Sequence, residues 1–174
     1  MKENSSQSGF TLIETIIYIA LFAIIISGAI VSIYGIIGAS SRNQIKAMVE
    51  EEGSFLVGKI DWALSGAANA EVVNTPSDST LETTQYDGKE IWIRVSAGDM
   101  SIDPDYDGTT YNGENLNNSN VTITCPASSC FTYTAGSSDG INPARIVADF
   151  TLSTRTAEGL SYSQEFSTIK YLRK

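Results

Sequence analysis

The chain has 174 residues and no histidine. That excludes imidazole-based general acid–base catalysis and His-ligated zinc or haem. Two cysteines are too few for a thiolate-only zinc site. Eleven basic residues stand against twenty acidic ones, a net charge of −9. Such a balance argues against a nucleic-acid binder, which needs a basic face. Proline is absent before Pro76, and from Thr15 to Ser41 no residue is charged. No P-loop and no glycine fingerprint after a strand is present, and nothing suggests βαβ repeats, so a doubly wound nucleotide-binding fold is not expected.

The uncharged stretch is built mostly of Ile, Ala, Leu, Phe, Val and Gly. As a helix it is about 40 Å long, enough for a bilayer core of about 30 Å with some tilt. A secretory signal has a shorter apolar region followed by a small-residue cleavage site, and this stretch does not fit that form. A buried helix of this uniformity would need a large core that the remaining chain cannot supply. A membrane span is therefore predicted. Gly28, Ser32, Gly35 and Ala39 recur at four-, three- and four-residue steps. Small residues on one face let helices approach closely in membranes. Lys2 precedes the span, whereas Arg42 and Lys46 follow it, so counting positive charges gives no help with orientation.

A short polar leader ends in Ser8-Gly9-Phe10-Thr11-Leu12-Ile13-Glu14, directly before the apolar run. Gly9-Phe-Thr-Leu-Ile-Glu14 resembles the processing motif of the type IV pilin-like family, which includes pilins, minor pilins and the pseudopilins of type II secretion. The resemblance is close from about Ser8 to Ile37 and holds only as architecture beyond. It implies cleavage after Gly9 by a prepilin peptidase and N-methylation of the new amino terminus at Phe10. It further implies that Glu14 of an incoming subunit pairs with the Phe10 amine of a neighbour. A carboxylate near the start of a membrane helix is costly unless paired or hydrated, which agrees with a functional role. The missing early proline leans toward a minor pilin or pseudopilin.

After the span, Ile45, Met48, Val49, Leu56, Ile60 and Leu64 recur at helical spacing. One nearly continuous helix is expected from Phe10 to about Ser65, with Gly53 as a weak point. Its second half should lay an apolar stripe on a sheet. Glu50-Glu51-Glu52 reads as a solvated face. Beyond Gly66 the pattern becomes short β segments. Leu81–Tyr86 and Glu90–Val95 flank Asp87-Gly88, a hairpin signal. Val121–Cys125 and Cys130–Thr134 form a second candidate pair, and Arg145–Thr154 with Leu160–Leu172 a third. The expected fold class is α+β, pilin-like: a long N-terminal helix, its first half spanning the membrane, packed on an antiparallel sheet. The expected organisation is a leader over 1–9, a transmembrane and filament-core helix over 10–39, an amphipathic continuation over 40–66, and an exported β-rich domain over 67–174.

Cys125 and Cys130 sit at the facing ends of two alternating segments, where an intrachain disulfide is geometrically reasonable. An oxidising compartment would permit it. Two free thiols are the alternative; a metal pair lacks further ligands. The segment from Asp103 to Glu114 matches D-x-[DN]-x-[DN]-G-x₅-E without a gap. Calcium takes six to eight oxygens. Asp103, Asp105 and Asp107 supply alternate carboxylates, the Thr109 carbonyl stands at the seventh position, and Glu114 can close the site. The flanks do not look helical, so the expectation is a structural calcium loop rather than a switch. From Ser96 to Ala144 there are six acids and no Lys or Arg. Asn117 and Asn120 head glycosylation-type tripeptides and are read as loop residues.

The sequence thus points to a non-enzymatic structural subunit of a type IV pilus or a related secretion or competence filament. Its expected partners are other pilin or pseudopilin subunits, the prepilin peptidase, an inner-membrane assembly platform and membrane lipid, with no nucleic acid. Its expected place is a bacterial inner membrane, single-pass, with the C-terminal domain outside, then a surface pilus or periplasmic pseudopilus. The alternative is a single-span surface protein whose calcium-stabilised β domain serves adhesion or ligand binding.

Overall fold

A computed structural model describes residues 11–74, 78–126, 129–137, 142–155 and 159–172. The chain divides into two compact units, Met1–Asn43 and Gln44–Lys174. One helix, α1 (Leu12–Ser65), starts in the first and ends in the second. The α+β architecture expected from the sequence is the one observed, a long apolar N-terminal helix with antiparallel sheets.

In the first unit the apolar side chains of α1 are exposed, from Leu12 to Ile37. This stretch of the helix is long and apolar enough to cross a membrane, and no part of it is buried. Several of its polar side chains are satisfied within the helix. Ser27, Ser32 and Ser41 donate to the carbonyls of Ala23, Gly28 and Ile37, at 2.8, 2.9 and 3.2 Å. Lipid offers no other partner, so such back-bonding suits a span.

In the second unit α1 turns amphipathic. Ile45, Val49, Gly53, Leu56, Ile60, Ala63 and Leu64 are buried at three- and four-residue steps. Most of these side chains join one core with residues of both sheets, including Leu81, Ile93, Phe131, Phe150 and Leu152. Five strands, β1 (Ala67–Asn74), β2 (Asp78–Gln85), β3 (Glu90–Ser96), β4 (Asp99–Asp103) and β5 (Glu114–Asn115), form an antiparallel meander in sequence order. The β2–β3 connection is the Asp87-Gly88 turn read from sequence, with Gly88 at φ 86°. The β3–β4 connection places both Ala97 and Gly98 at positive φ, as a type I′ hairpin turn requires. Alternation is strict on β3: Ile91, Ile93 and Val95 face the core, while Trp92 and Arg94 face outward.

The second sheet contains β6 (Val121–Thr124), β7 (Phe131–Thr134), β8 (Arg145–Arg155) and β9 (Ser161–Tyr171). The third expected hairpin is present, with β8 and β9 paired over eleven residues. The second is not. Segments 121–125 and 130–134 do not pair with each other; both pair with β8, along the same edge. Thr124 lies opposite Thr151 and Phe131 opposite Ala148. The chain therefore uses Cys125 to Cys130 where β8 has only Asp149 and Phe150. Two collinear half-strands around a loop carry the same alternation as a hairpin, which is why the sequence misleads here.

Candidate functional site

The processing site is the first to consider. Gly9 and Phe10 lie outside the described residues, as does the rest of the leader. Thr11 immediately precedes the helix, and its carbonyl accepts the backbone N–H groups of Glu14 and Thr15, at 3.1 and 3.2 Å. Thr11 and Glu14 thus have the spacing of a capping box. The pattern T-x-x-E is visible in the sequence at Thr11–Glu14. Glu14 falls in the first turn, where unsatisfied N–H groups and the helix dipole favour a negative charge. Its Oε1 accepts a hydrogen bond from the Tyr18 hydroxyl one turn later, at 3.3 Å. Among the described residues no cation forms an ion pair with it. A lone carboxylate is thus fixed at the head of an otherwise uncharged helix.

The acidic segment is arranged differently from the expected ion cage. Asp103 ends β4 and is buried. Its Oδ1 accepts from the Asp105 backbone N–H at 3.3 Å, and its Oδ2 from that of Asn112 at 2.8 Å. Asp105 forms an ion pair with Lys89, at 3.4 Å. Asp107 Oδ1 accepts from the Thr109 N–H, the Thr109 hydroxyl and the Thr110 N–H, at 2.9, 2.7 and 3.1 Å. Those bonds, the Thr109 hydroxyl first, hold the Asp107 carboxyl below the ordinary range. Glu114 stands exposed on β5, opposite Ile102. Among the described residues no three His, Cys, Asp or Glu side chains are grouped so as to hold a metal ion. Asp103, Asp105, Asp107, Thr109 and Glu114 follow one another as the motif requires. As folded, the oxygens of Asp103, Asp105 and Asp107 serve the loop's own N–H and hydroxyl groups and Lys89, and Glu114 stands exposed, so the set does not fit calcium without rearrangement.

Cys125 and Cys130 are brought to bonding distance, with Cα atoms 4.6 Å apart. They lie where β6 gives way to β7. The Cys130 N–H and the Phe131 N–H both donate to the Ser79 hydroxyl, at 3.1 and 3.3 Å, which ties this junction to β2.

Two polar residues matter more than the sequence suggested. Asn117 is buried rather than a loop ornament. It accepts from the Met100 N–H at 2.7 Å and donates to the Val121 carbonyl at 2.9 Å and to Asp99 at 3.1 Å. It thereby fastens the chain between β5 and β6. Glu52, expected to be merely solvated, accepts from the Asn118 N–H. Neither role has a sequence signal, because each depends on residues distant along the chain. Lys46 and Glu50, one turn apart on α1, form a largely exposed ion pair at 3.7 Å.

Compared with known proteins, residues 4–30 match the family model described as the prokaryotic N-terminal methylation motif. No curated protein and no solved structure matches the chain. The matched stretch contains Gly9, Phe10 and Glu14 and runs into the exposed apolar helix. Motif and helix together point to membrane anchoring, to peptidase processing and to assembly with other subunits. Over residues 4–30 the chain carries the prokaryotic N-terminal methylation motif, and in that stretch it is similar to precursors of the type IV pilin-like family.

Proposed function

We propose that the protein is a minor pilin or pseudopilin, a structural subunit of a type IV pilus or a related type II secretion or competence filament. A prepilin peptidase cuts after Gly9, Phe10 is methylated, and the apolar half of α1 passes from the inner membrane into the filament core, drawn in by the assembly platform. The observation that carries this reading is Glu14. It is held in the first turn of a helix that has no other charge as far as Ser41. Cleavage creates a cationic amine at Phe10, and Glu14 of the incoming subunit pairs with the Phe10 amine of its neighbour. Once water is excluded, losing one partner of such a pair costs about 3–5 kcal/mol, so the pair sets the axial register.

N-terminal sequencing with mass spectrometry tests the processing: the mature chain begins at methylated Phe10. An intact Met1, or a cut after the apolar run, refutes it and favours a single-span surface protein instead. Glu14→Ala tests assembly: processed protein accumulates in the membrane and leaves the filament fraction. Unchanged incorporation refutes the pairing.

Calcium is a further proposal for the acidic segment, as an ion that orders the loop. Binding would require Asp105 to leave Lys89 and Glu114 to turn toward Asp103. The absence of any cation from Ser96 to Ala144 supports it, and the satisfied hydrogen bonds of Asp103 and Asp107 oppose it.

A further inference from the structure

The exposed side of α1 in the second unit carries Phe55, Lys59 and Trp62 at helical spacing. Phe55 is 47% exposed and Trp62 is 53% exposed. Lys59 lies between them, its Nζ 5.4 Å from the Phe55 ring centre and 5.9 Å from that of Trp62. Glu51, exposed one turn before Phe55, has no ion-pair partner among the described residues, whereas the other charged groups nearby on the helix are engaged. Lys46 pairs with Glu50, Asp61 lies 3.9 Å from Lys170, and Glu52 holds the Asn118 N–H. Lys59 has no carboxylate partner among the described residues. The stripe is therefore aromatic, cationic and braced. Gly58, within it, has open space around its α-carbon, so another chain can approach the helix closely there.

The complementary surface is on the outward face of the five-stranded sheet. Glu71, Glu82 and Trp92 stand in one cross-strand row, with Glu71 opposite Glu82 and Glu82 opposite Trp92. Together with Glu90 they line a recess of about 150 Å³. Trp92 stacks on Tyr106, ring centres 3.9 Å apart. None of the three carboxylates has a cationic partner among the described residues. Burial first, then the charges of Glu71 and Glu90, push the Glu82 carboxyl above its ordinary value. Within one copy no ion pair joins Lys59 to this recess.

We propose that the Phe55–Lys59–Trp62 stripe of one copy docks into the Glu71–Glu82–Glu90 recess of a second copy, with the Lys59 ammonium among the carboxylates and Trp92 against the aromatic rings. A cation flanked by aromatic faces and set opposite carboxylates satisfies all the groups at once. The two patches differ, so the contact is head-to-tail, and head-to-tail contacts that do not close generate filaments. The proposal rests on the filament reading and adds to it which surfaces of the exported part meet.

The test is a charge exchange in the full chain, assembled by its own system. Lys59→Glu and Glu82→Lys each lower the filament fraction by about tenfold or more, with the processed membrane pool unchanged. The variant carrying both returns to within about threefold of wild type, because the pair is restored with reversed sign. A photo-crosslinking residue at position 55 traps the peptide spanning 78–96 of another copy. Single variants that assemble normally, a combined variant no better than either, or a cross-link to any other peptide or protein overturns the docking. A wild-type chain that is never processed at Phe10 and never enters filaments overturns the filament reading, and the docking with it. Failure of the docking alone leaves processing and the Glu14 dependence intact.

Discussion

Replacing Gly53 by alanine puts a methyl group where the Phe166 ring already lies. A β-carbon built on Gly53 falls 2.0 Å from the ring's Cζ and 2.3 Å from each Cε. Carbon atoms rest about 3.5–4.0 Å apart, so the ring must retreat by roughly 1.5 Å. It has little room. Phe166 lies opposite Phe150 in the β8–β9 ladder, and the two rings stack with centres 5.8 Å apart. Phe150 is itself buried. Forcing extra volume into such a site costs about 1–3 kcal/mol. Alanine in place of a helical glycine returns about 1 kcal/mol. The net expectation is a loss of about 0–2 kcal/mol at Gly53. Gly58 supplies the control: it is on the same helix, with nothing within 4 Å of an added β-carbon. Gly58→Ala should gain up to about 1 kcal/mol. Equilibrium denaturation of the full chain in detergent, compared at constant m-value, measures both. Phe166→Leu should relieve much of the Gly53→Ala penalty, since the two changes share one contact. The reasoning fails if Gly53→Ala stabilises the protein as Gly58→Ala does.

Three further outcomes are expected. Replacing both Cys125 and Cys130 by serine opens a short loop and removes about 2 kcal/mol of chain-entropy stabilisation, or about 4–8 °C in Tm; identical melting with and without reductant would contradict it. Asp78 is held below its ordinary value by the Ser96 hydrogen bond first and by Arg94 next, so its contribution is present above about 3.8 and lost as pH falls through the lower folded value. Asp78→Asn should therefore flatten the acid limb of the stability profile, whereas Glu82→Gln should stabilise the protein at neutral pH, because the raised Glu82 carboxyl is a penalty that grows as pH rises through it. For calcium, melting with the ion and with chelator decides: an upward Tm shift that Glu114→Gln abolishes supports the loop, and superimposable curves end it.

The helix was legible because two strong signals agree along it, an uncharged run and then a 3.6-residue apolar stripe, and α1 ends where that stripe ends. The β2–β3 and β8–β9 hairpins were legible for a similar reason, alternation bounded by turn residues. β1 was not read. Its residues Ala67–Asn74 are rich in alanine and asparagine, poor strand formers on their own, and the strand exists through its pairing with β2. The β6–β7 error has a different origin, since pairing partners are a long-range choice and both segments prefer β8. At the acidic segment the spacing of carboxylates is a one-dimensional fact. Where their oxygens point is decided by backbone N–H groups of the same loop, which compete for them. Gly53 had looked like a weakness in the helix; its lack of a side chain is what admits the Phe166 ring.

The junction between β6 and β7 has a consequence for how this surface can vary. Cys125 and Cys130 occupy neighbouring places along β8, although four residues separate them in the chain. Strand alignment on either side is set by β8 and by the cysteines, and Pro126 and Ser129 stand outside the ladder. Peptide length inserted there does not propagate into the sheet as a shift of register. The position is thus a natural graft point, where an epitope or a recognition sequence can be exchanged while the framework keeps its alignment.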